Sequence, residues 1–157
     1  MNETHQQFMR EAIRLSIKNI DEDGGPFGAV IVKNGKIIAT GTNRVTVNND
    51  PTAHAEIMAI RAAAKELNTF DLSECSIYTS CEPCPMCLAA IYWARIDKIF
   101  YGNTKLDAKN IGFDDSFIYG ELALPAEKRS IKTTQLIHDE AIAAFKKWNQ
   151  FEKKTKY

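Results

Sequence analysis

The stretch TSCEPCPMCLAAIYWAR, residues 79–95, decides the fold, because it joins the end of a predicted strand to the start of a predicted helix through closely spaced cysteines. A second stretch, NDPTAHAE at residues 49–56, places a histidine and a glutamate at the start of another predicted helix. Cysteines three residues apart lie on one helix face, and the positive end of the helix dipole favours their thiolate form. We therefore expect His54, Cys84 and Cys87 to converge on one metal ion.

This ligand set indicates a catalytic zinc site. Zinc held by three protein ligands keeps its fourth tetrahedral position open for water, and it lowers the pKa of that water to about 7. Glu56 provides a carboxylate beside the metal that can carry protons, a role typically worth roughly 10²- to 10⁴-fold in rate. Backbone amides at the helix starts, that of Ala55 among them, could orient the water or a polar ring atom. The combination of H-x-E with P-C-x-x-C resembles the signature of zinc-dependent nucleobase deaminases.

These residues also fit two other interpretations. Cys81, Cys84 and Cys87 also spell the start of an iron–sulfur motif, but the fourth cysteine that such a cluster needs does not follow at the required spacing. Cys75 and Cys81 are instead expected to be small buried residues near the sheet. A non-catalytic zinc domain is the other interpretation, and Glu56 argues against it because a structural site needs no free carboxylate beside the metal.

The rest of the chain predicts an α/β domain, a three-layer α/β/α sandwich with a five-stranded mixed sheet. Asn34-Gly35 joins two strands within GAVIVKNGKIIATG (28–41), since both residues tolerate the positive φ of a tight hairpin. The other predicted elements are helices over 4–20, 50–67, 83–95 and 139–152 and strands over 76–80, 97–102 and 131–138.

Some segments have no predicted regular structure. Residues 104–130 are expected to be the least regular part of the chain, and their GFDDSFIYGEL stretch is a candidate functional loop. The DGGPFG stretch (23–28) is interpreted as a turn, because it lacks the ending of a phosphate-binding loop. His5 and His138 are expected to be surface or capping residues. Nothing divides residues 1–157, so a single domain is predicted.

Composition points to a small-molecule enzyme in the cytoplasm. The 20 basic and 20 acidic residues cancel, which argues mildly against a nucleic-acid partner, although the lysines of the C-terminal segment keep a tRNA substrate open. No apolar run is long enough to predict a membrane span or a secretory signal, so no membrane partner is expected. Tightly spaced cysteines in such a chain suit metal ligation better than disulfides.

The strings NDPTAHAE, SCEPCPMCLAAIYWAR, GFDDSFIY and the terminal Lys-Tyr resemble the cytidine deaminase-like superfamily, and within it the bacterial guanine deaminases. The resemblance implies one zinc ion per subunit and a homodimer that exchanges its C-terminal segments, residues 130–157. It also implies hydrolysis of guanine to xanthine and ammonia, as in purine catabolism and salvage. A tRNA adenosine deaminase, or a deaminase of another aminated heterocycle such as cytosine or a triazine, is the alternative.

The same resemblance assigns residues to the substrate. It implies that Asn43 hydrogen-bonds the purine, that Asp115 contacts the ring or its amine and shares proton transfer, and that Tyr157 closes the partner subunit's pocket. Asp114 is the alternative to Asp115 for the position facing the pocket. Phe27 and Trp93 could provide the aromatic walls that a flat base needs, since base stacking is worth about 1 to 3 kcal/mol, or could pack in the core.

Overall fold

The computed structural model describes residues 3–157, with side chains from residue 4 onward. Its four strands are Gly28–Lys33 (β1), Lys36–Thr42 (β2), Cys75–Cys81 (β3) and Lys98–Asn103 (β4). The α-helices are Glu3–Ile20 (α1), Val45–Asn48 (α2), Ala55–Glu66 (α3), Pro85–Trp93 (α4), Lys105–Asn110 (α5), Ser116–Ala123 (α6) and His138–Gln150 (α7). The sheet order is β2-β1-β3-β4, and only β3 and β4 run parallel. The fold is therefore α/β with a mixed sheet.

The predicted hairpin is confirmed. β1 and β2 pair antiparallel from Gly28 opposite Thr42 to Lys33 opposite Lys36. Asn34 and Gly35 form the turn with φ of 51° and 72°, the left-handed conformation that asparagine and glycine adopt at least cost.

Alternating side chains of β1 enter two separate core clusters. Ala29 and Ile31 pack with Ala59 of α3, whereas Val30 and Val32 pack with Ala12 of α1. Because successive side chains of a strand point to opposite faces, α1 and α3 contact opposite faces of the sheet. The run of buried residues in β1 follows from this coverage of both faces.

The predicted fifth strand is wrong. Residues 131–137 belong to no helix or strand, and α7 begins at His138. Ile131, Leu136 and Ile137 have the composition of a strand, but their side chains are exposed. Strand propensity becomes a strand only where a neighbouring strand accepts its hydrogen bonds, and the four-stranded sheet of the described residues does not include this segment.

Two helix boundaries and one loop also differ from expectation. The helix predicted from residue 50 begins at Ala55, because the Asp50 carboxylate accepts hydrogen bonds from the backbone amide and hydroxyl of Thr52 and holds 50–52 in a turn. The helix predicted from residue 83 begins at Pro85, a position that suits proline. Residues 104–130 are more regular than expected: they contain α5, α6 and a short 3₁₀ helix, Ala126–Lys128, although 111–115 belong to no helix or strand. A reciprocal capping pair between Thr104 and Asp107 begins α5.

His5 was expected to be a surface or capping residue, but it contacts the sheet. Its side chain is half-buried, its Nδ1 lies 2.6 Å from the hydroxyl of Tyr78, and its ring packs against Phe100. These contacts attach the first turn of α1 to strands β3 and β4. His138, at the start of α7, is exposed as expected.

The described chain forms two compact units, one ending at Asp115 and the other running from Ser116 to Tyr157. The first contains the sheet. In the second, the Glu121 carboxylate accepts hydrogen bonds from the amide and the hydroxyl of Ser130, and the Arg129 side chain donates to the carbonyl of Leu124. Across the described residues, no helix combines the length and the apolar character needed to cross a bilayer.

Candidate metal and proton-transfer site

His54 and Cys84 occupy equivalent places, each immediately before the first residue of a helix. Both have extended backbone conformations, with φ and ψ of −69° and 156° at His54 and −67° and 169° at Cys84. Each carbonyl accepts the first hydrogen bond of its helix, from Met58 at 2.9 Å and from Leu88 at 2.8 Å. Neither side chain caps its own helix, so both are available to meet each other.

The start of α3 lies in close contact with the backbone of β2 at Gly41. Gly41 in β2 lies so near the start of α3 that an added Cβ would collide with the carbonyl oxygen of Ala55 and the amide of Ala59. Only glycine leaves room for the helix to lie this close to the strand. The position of His54 relative to the sheet therefore depends on residue 41 having no side chain.

The three predicted ligands converge. His54 Nδ1 lies 3.5 Å from the Sγ atoms of both Cys84 and Cys87, and the ligand atoms of the three residues all lie within 4.8 Å of one another. One imidazole and two thiols at this spacing fit a tetrahedral zinc ion, whose bonds are about 2.0–2.3 Å long. Zinc is therefore the cofactor that this donor set suits, with three protein ligands and one open position.

Hydrogen bonds within the cluster already favour an ionised sulfur. The thiol of Cys87 donates to Cys84 and, against the opposing effect of burial and with a smaller contribution from His54, lowers the pKa of Cys84 to about 4. The same hydrogen bond, together with burial, raises the pKa of Cys87, while contact with Cys84 raises the pKa of His54. Because a metal binds thiolate and neutral imidazole, binding would release the protons that these groups share.

Glu56 lies beside the ligands on the first turn of α3. Its side chain is only 7% exposed, and burial is the main reason that its pKa is raised above the ordinary value for glutamate. The thiol of Cys87 lies within hydrogen-bonding reach of its carboxyl group. A buried carboxylate whose pKa is moved towards neutrality can both accept and return a proton.

A backbone hydrogen bond joins Asn43, which follows β2, to Phe27, which precedes β1. Asn43 is 7% exposed, its amide donates to the carbonyl of Phe27 at 3.1 Å, and its side-chain oxygen accepts from the amide of Val45 at 3.3 Å. The Phe27 ring meets Phe113 edge to face, with centroids 5.0 Å apart. Phe113 was not singled out from the sequence, although it lies in the GFDDSFIYGEL stretch. Phe27 also lines a cavity of about 390 Å³.

The two adjacent acids have different surroundings. The Asp114 carboxylate forms an ion pair with Lys109 at 3.1 Å. Asp115 is half-buried, and burial, followed by the negative charge of Cys84, raises its pKa. Asp114 is thus held in an ion pair, and the role of Asp115 at the site stays a prediction.

The remaining predicted residues are Ala55, Trp93 and Tyr157. Ala55, 1% exposed, is the first residue of α3. Trp93 is 69% exposed and ends α4, which places it about 13 Å along the helix from Cys84 at 1.5 Å per residue. Its side chain is therefore not part of the core, and its role as an aromatic wall stays a prediction. Tyr157 belongs to the second unit, and its role stays a prediction.

The two cysteines outside the ligand set are buried, as expected. Cys81 donates weakly to the carbonyl of Thr104 at 3.7 Å, and burial raises its pKa to about 11. Among the described residues, the one group able to hold a metal contains His54 with two cysteines and excludes Cys81. An iron–sulfur cluster is not supported.

Comparisons with known proteins agree with this site. The model of the cytidine and deoxycytidylate deaminase zinc-binding region matches residues 2–103. A guanine deaminase of Bacillus subtilis is 52% identical over 154 residues, which make up 98% of this chain and 99% of that protein. The crystal structure of guanine deaminase from that organism covers 100% of this chain with a TM-score of 0.95.

More distant relatives match less of the chain. A guanine deaminase structure from Nitrosomonas europaea has a TM-score of 0.67 at 38% identity and covers 69% of this chain and 63% of its own. A tRNA-specific adenosine deaminase of Aquifex aeolicus is 40% identical over 107 residues, which are 68% of this chain and 70% of that protein.

Proposed function

The chain belongs to the family defined by the cytidine and deoxycytidylate deaminase zinc-binding region, and from that premise we propose that it is a hydrolytic guanine deaminase. In this reaction a water oxygen forms a bond to C2 of guanine, the bond from C2 to the exocyclic nitrogen breaks, and xanthine and ammonia are released. The observation that carries the substrate is the likeness to the guanine deaminase of Bacillus subtilis, because it continues through the residues beyond 103.

The roles of the residues follow from their places. His54, Cys84 and Cys87 would hold the zinc ion. Bound zinc supplies the Lewis acidity that makes water a nucleophile at neutral pH. Glu56 accepts a proton from the attacking water and passes it to the ring and to the departing amine. Asn43 and the amide of Ala55 hydrogen-bond the base, Phe27 contacts its face, and Asp115 binds the amine and assists its protonation.

Ammonia release from guanine tests the substrate. The purified, zinc-loaded protein should convert guanine to xanthine with equal amounts of ammonia, and zinc content should be one per chain. Cytosine, a triazine amine and a tRNA anticodon stem-loop containing adenosine serve as comparison substrates. If one of these is turned over and guanine is not, the deaminase assignment survives and the guanine assignment is overturned.

A tRNA substrate has less support. The likeness to a tRNA adenosine deaminase leaves about a third of the chain unmatched, whereas the likeness to a guanine deaminase does not. The chain also carries no net positive charge to attract a polyanion. Salt-dependent retardation of tRNA in a gel, together with inosine formation, would reverse this ranking.

We also propose a single-domain subunit in a three-layer arrangement, within a cytoplasmic homodimer that exchanges its segments 130–157. Ile131, Leu136 and Phe145 support the dimer, since each is more than 70% exposed and monomers rarely leave so much apolar surface in water. Light scattering should give twice the chain mass of 17.7 kDa.

Deletion of Tyr157 tests the proposed role of this residue in closing the partner subunit's pocket. The deletion should raise the KM for guanine, whereas unchanged kinetics would refute that role.

A further inference from the structure

Asn19, near the end of α1, has a buried side chain that bonds to two different loops. It is 1% exposed, and its Nδ2 donates to the carbonyl oxygens of Gly25 and Asn43, each at 2.8 Å. Its Oδ1 accepts from the guanidinium of Arg44 at 3.1 Å. Both hydrogens of the amide and its oxygen are thus used, which fixes the orientation of the group.

The two loops are the ones that carry Asn43 and Phe27. The backbone amide of Asn43 donates to the carbonyl of Phe27, so this hydrogen bond already links the two loops. Asn19 links them a second time, through the carbonyls of Gly25 and Asn43. Gly24 makes the arrangement sterically possible, because a Cβ there would collide with the Asn19 amide and with the carbonyl oxygen of Asn43. The Asn43 carboxamide packs in turn on Gly25, where an added Cβ would lie 3.1 Å from its Cγ.

We propose that Asn19 is a positioning residue for the purine, which it serves by holding the backbones of Asn43 and of the loop before Phe27 in the binding geometry. This inference rests on the proposed function, since Asn43 and Phe27 are the groups assigned there to the base. Asn19 itself touches neither metal nor substrate. Its effect therefore falls on the binding of the base, while proton transfer through Glu56 and metal ligation by His54 proceed as before.

Asn19→Leu tests the proposal by removing all three hydrogen bonds at similar size. It should raise the KM for guanine about five- to tenfold, the effect expected when one hydrogen bond to the base is misplaced, with kcat within about twofold and zinc content unchanged. Ser16→Ala is the matched control, because Ser16 is a buried polar residue of the same helix whose hydroxyl donates to the carbonyl of Ile13, within α1 itself. It should leave KM unchanged.

A merely structural role predicts a different pattern. In that case Asn19→Leu would lower Tm and the active fraction, and so the apparent kcat, while KM stayed at the wild-type value, and the proposal would be overturned. If the leucine variant does not fold, Asn19→Asp keeps the size but faces two carbonyl oxygens without donors, and it should raise KM in the same way. An unchanged KM in that folded variant also overturns the proposal.

A double substitution identifies the residue through which Asn19 acts. On an Asn43→Ala background, Asn19→Leu should raise KM less than it does in the wild type, because the contact that it positions is already gone. Full additivity would place its action elsewhere and contradict the proposal. Failure of the proposed function is detected separately, because the wild-type protein would then not turn over guanine. In that case the KM of Asn19→Leu is compared with that of the wild type for the base that is turned over.

Discussion

Replacement of Glu56 by glutamine isolates the proton-transfer step from metal binding. Glutamine has nearly the size of glutamate and can occupy the same buried site, but at neutral pH it neither accepts nor returns a proton. His54 and the two cysteines are left in place, so zinc content should stay at one per chain. The change therefore removes one chemical capacity and leaves the rest of the site assembled.

The size of the effect follows from burial. Glu56 is 7% exposed, so bulk water has little access to take over the proton transfer. General acid–base catalysis typically contributes roughly 10²- to 10⁴-fold, and the buried position favours the upper half of that range. We expect kcat for guanine to fall by about 10³-fold or more, equivalent to about 4 kcal/mol in the barrier. The KM should change by much less, since Glu56 acts mainly on the reaction and not on the binding of the base.

Ammonia release under saturating guanine measures kcat, with zinc content and Tm determined on the same preparation. Glu66→Gln is the matched control, since it makes the same charge change at the exposed end of the same helix and should keep wild-type activity. A Glu56→Gln protein that binds zinc and retains more than about a tenth of wild-type kcat would refute the assigned role, because that loss is smaller than general acid–base catalysis supplies.

Three further predictions concern the metal and the fold. Cys87→Ala should abolish both zinc binding and turnover, measured by metal analysis after dialysis, because only two ligands remain. Gly35→Ala should lower the free energy of unfolding by about 1 kcal/mol, or roughly 2–4 °C in Tm, since its φ is 72° and no described atom lies within 4 Å of the added Cβ. Tyr78→Phe should cost about 1 kcal/mol in urea unfolding through loss of its bond to His5, and an unchanged midpoint would contradict that bond's contribution.

The metal site was predictable because its residues are close in sequence and follow local rules. His54 and Glu56 share one helix start, Cys84 and Cys87 share another, and each pair is positioned by a single turn of helix. Asn34-Gly35 specified its hairpin for the same reason, since turn chemistry depends on two residues only.

The errors came from features that depend on distant parts of the chain. Residues 131–138 have strand composition, but a strand also needs a pairing edge, which composition does not reveal. His5 gave no signal, because its partner Tyr78 is 73 residues away. Asn19 was missed likewise, although a polar residue at a helix end just before Gly24 and Gly25 is a pattern that could have drawn attention to it.

The uncapped helix starts at His54 and Cys84 imply a trade-off between stability and activity. On helix stability alone, serine, threonine, aspartate or asparagine would be preferred at both positions, by about 1 kcal/mol each over a residue that makes no cap. Neither side chain caps its helix here. Selection for thermal stability in the absence of metal would therefore tend to erode the ligand set, and residues at these two positions that improve the metal-free fold are expected to abolish turnover.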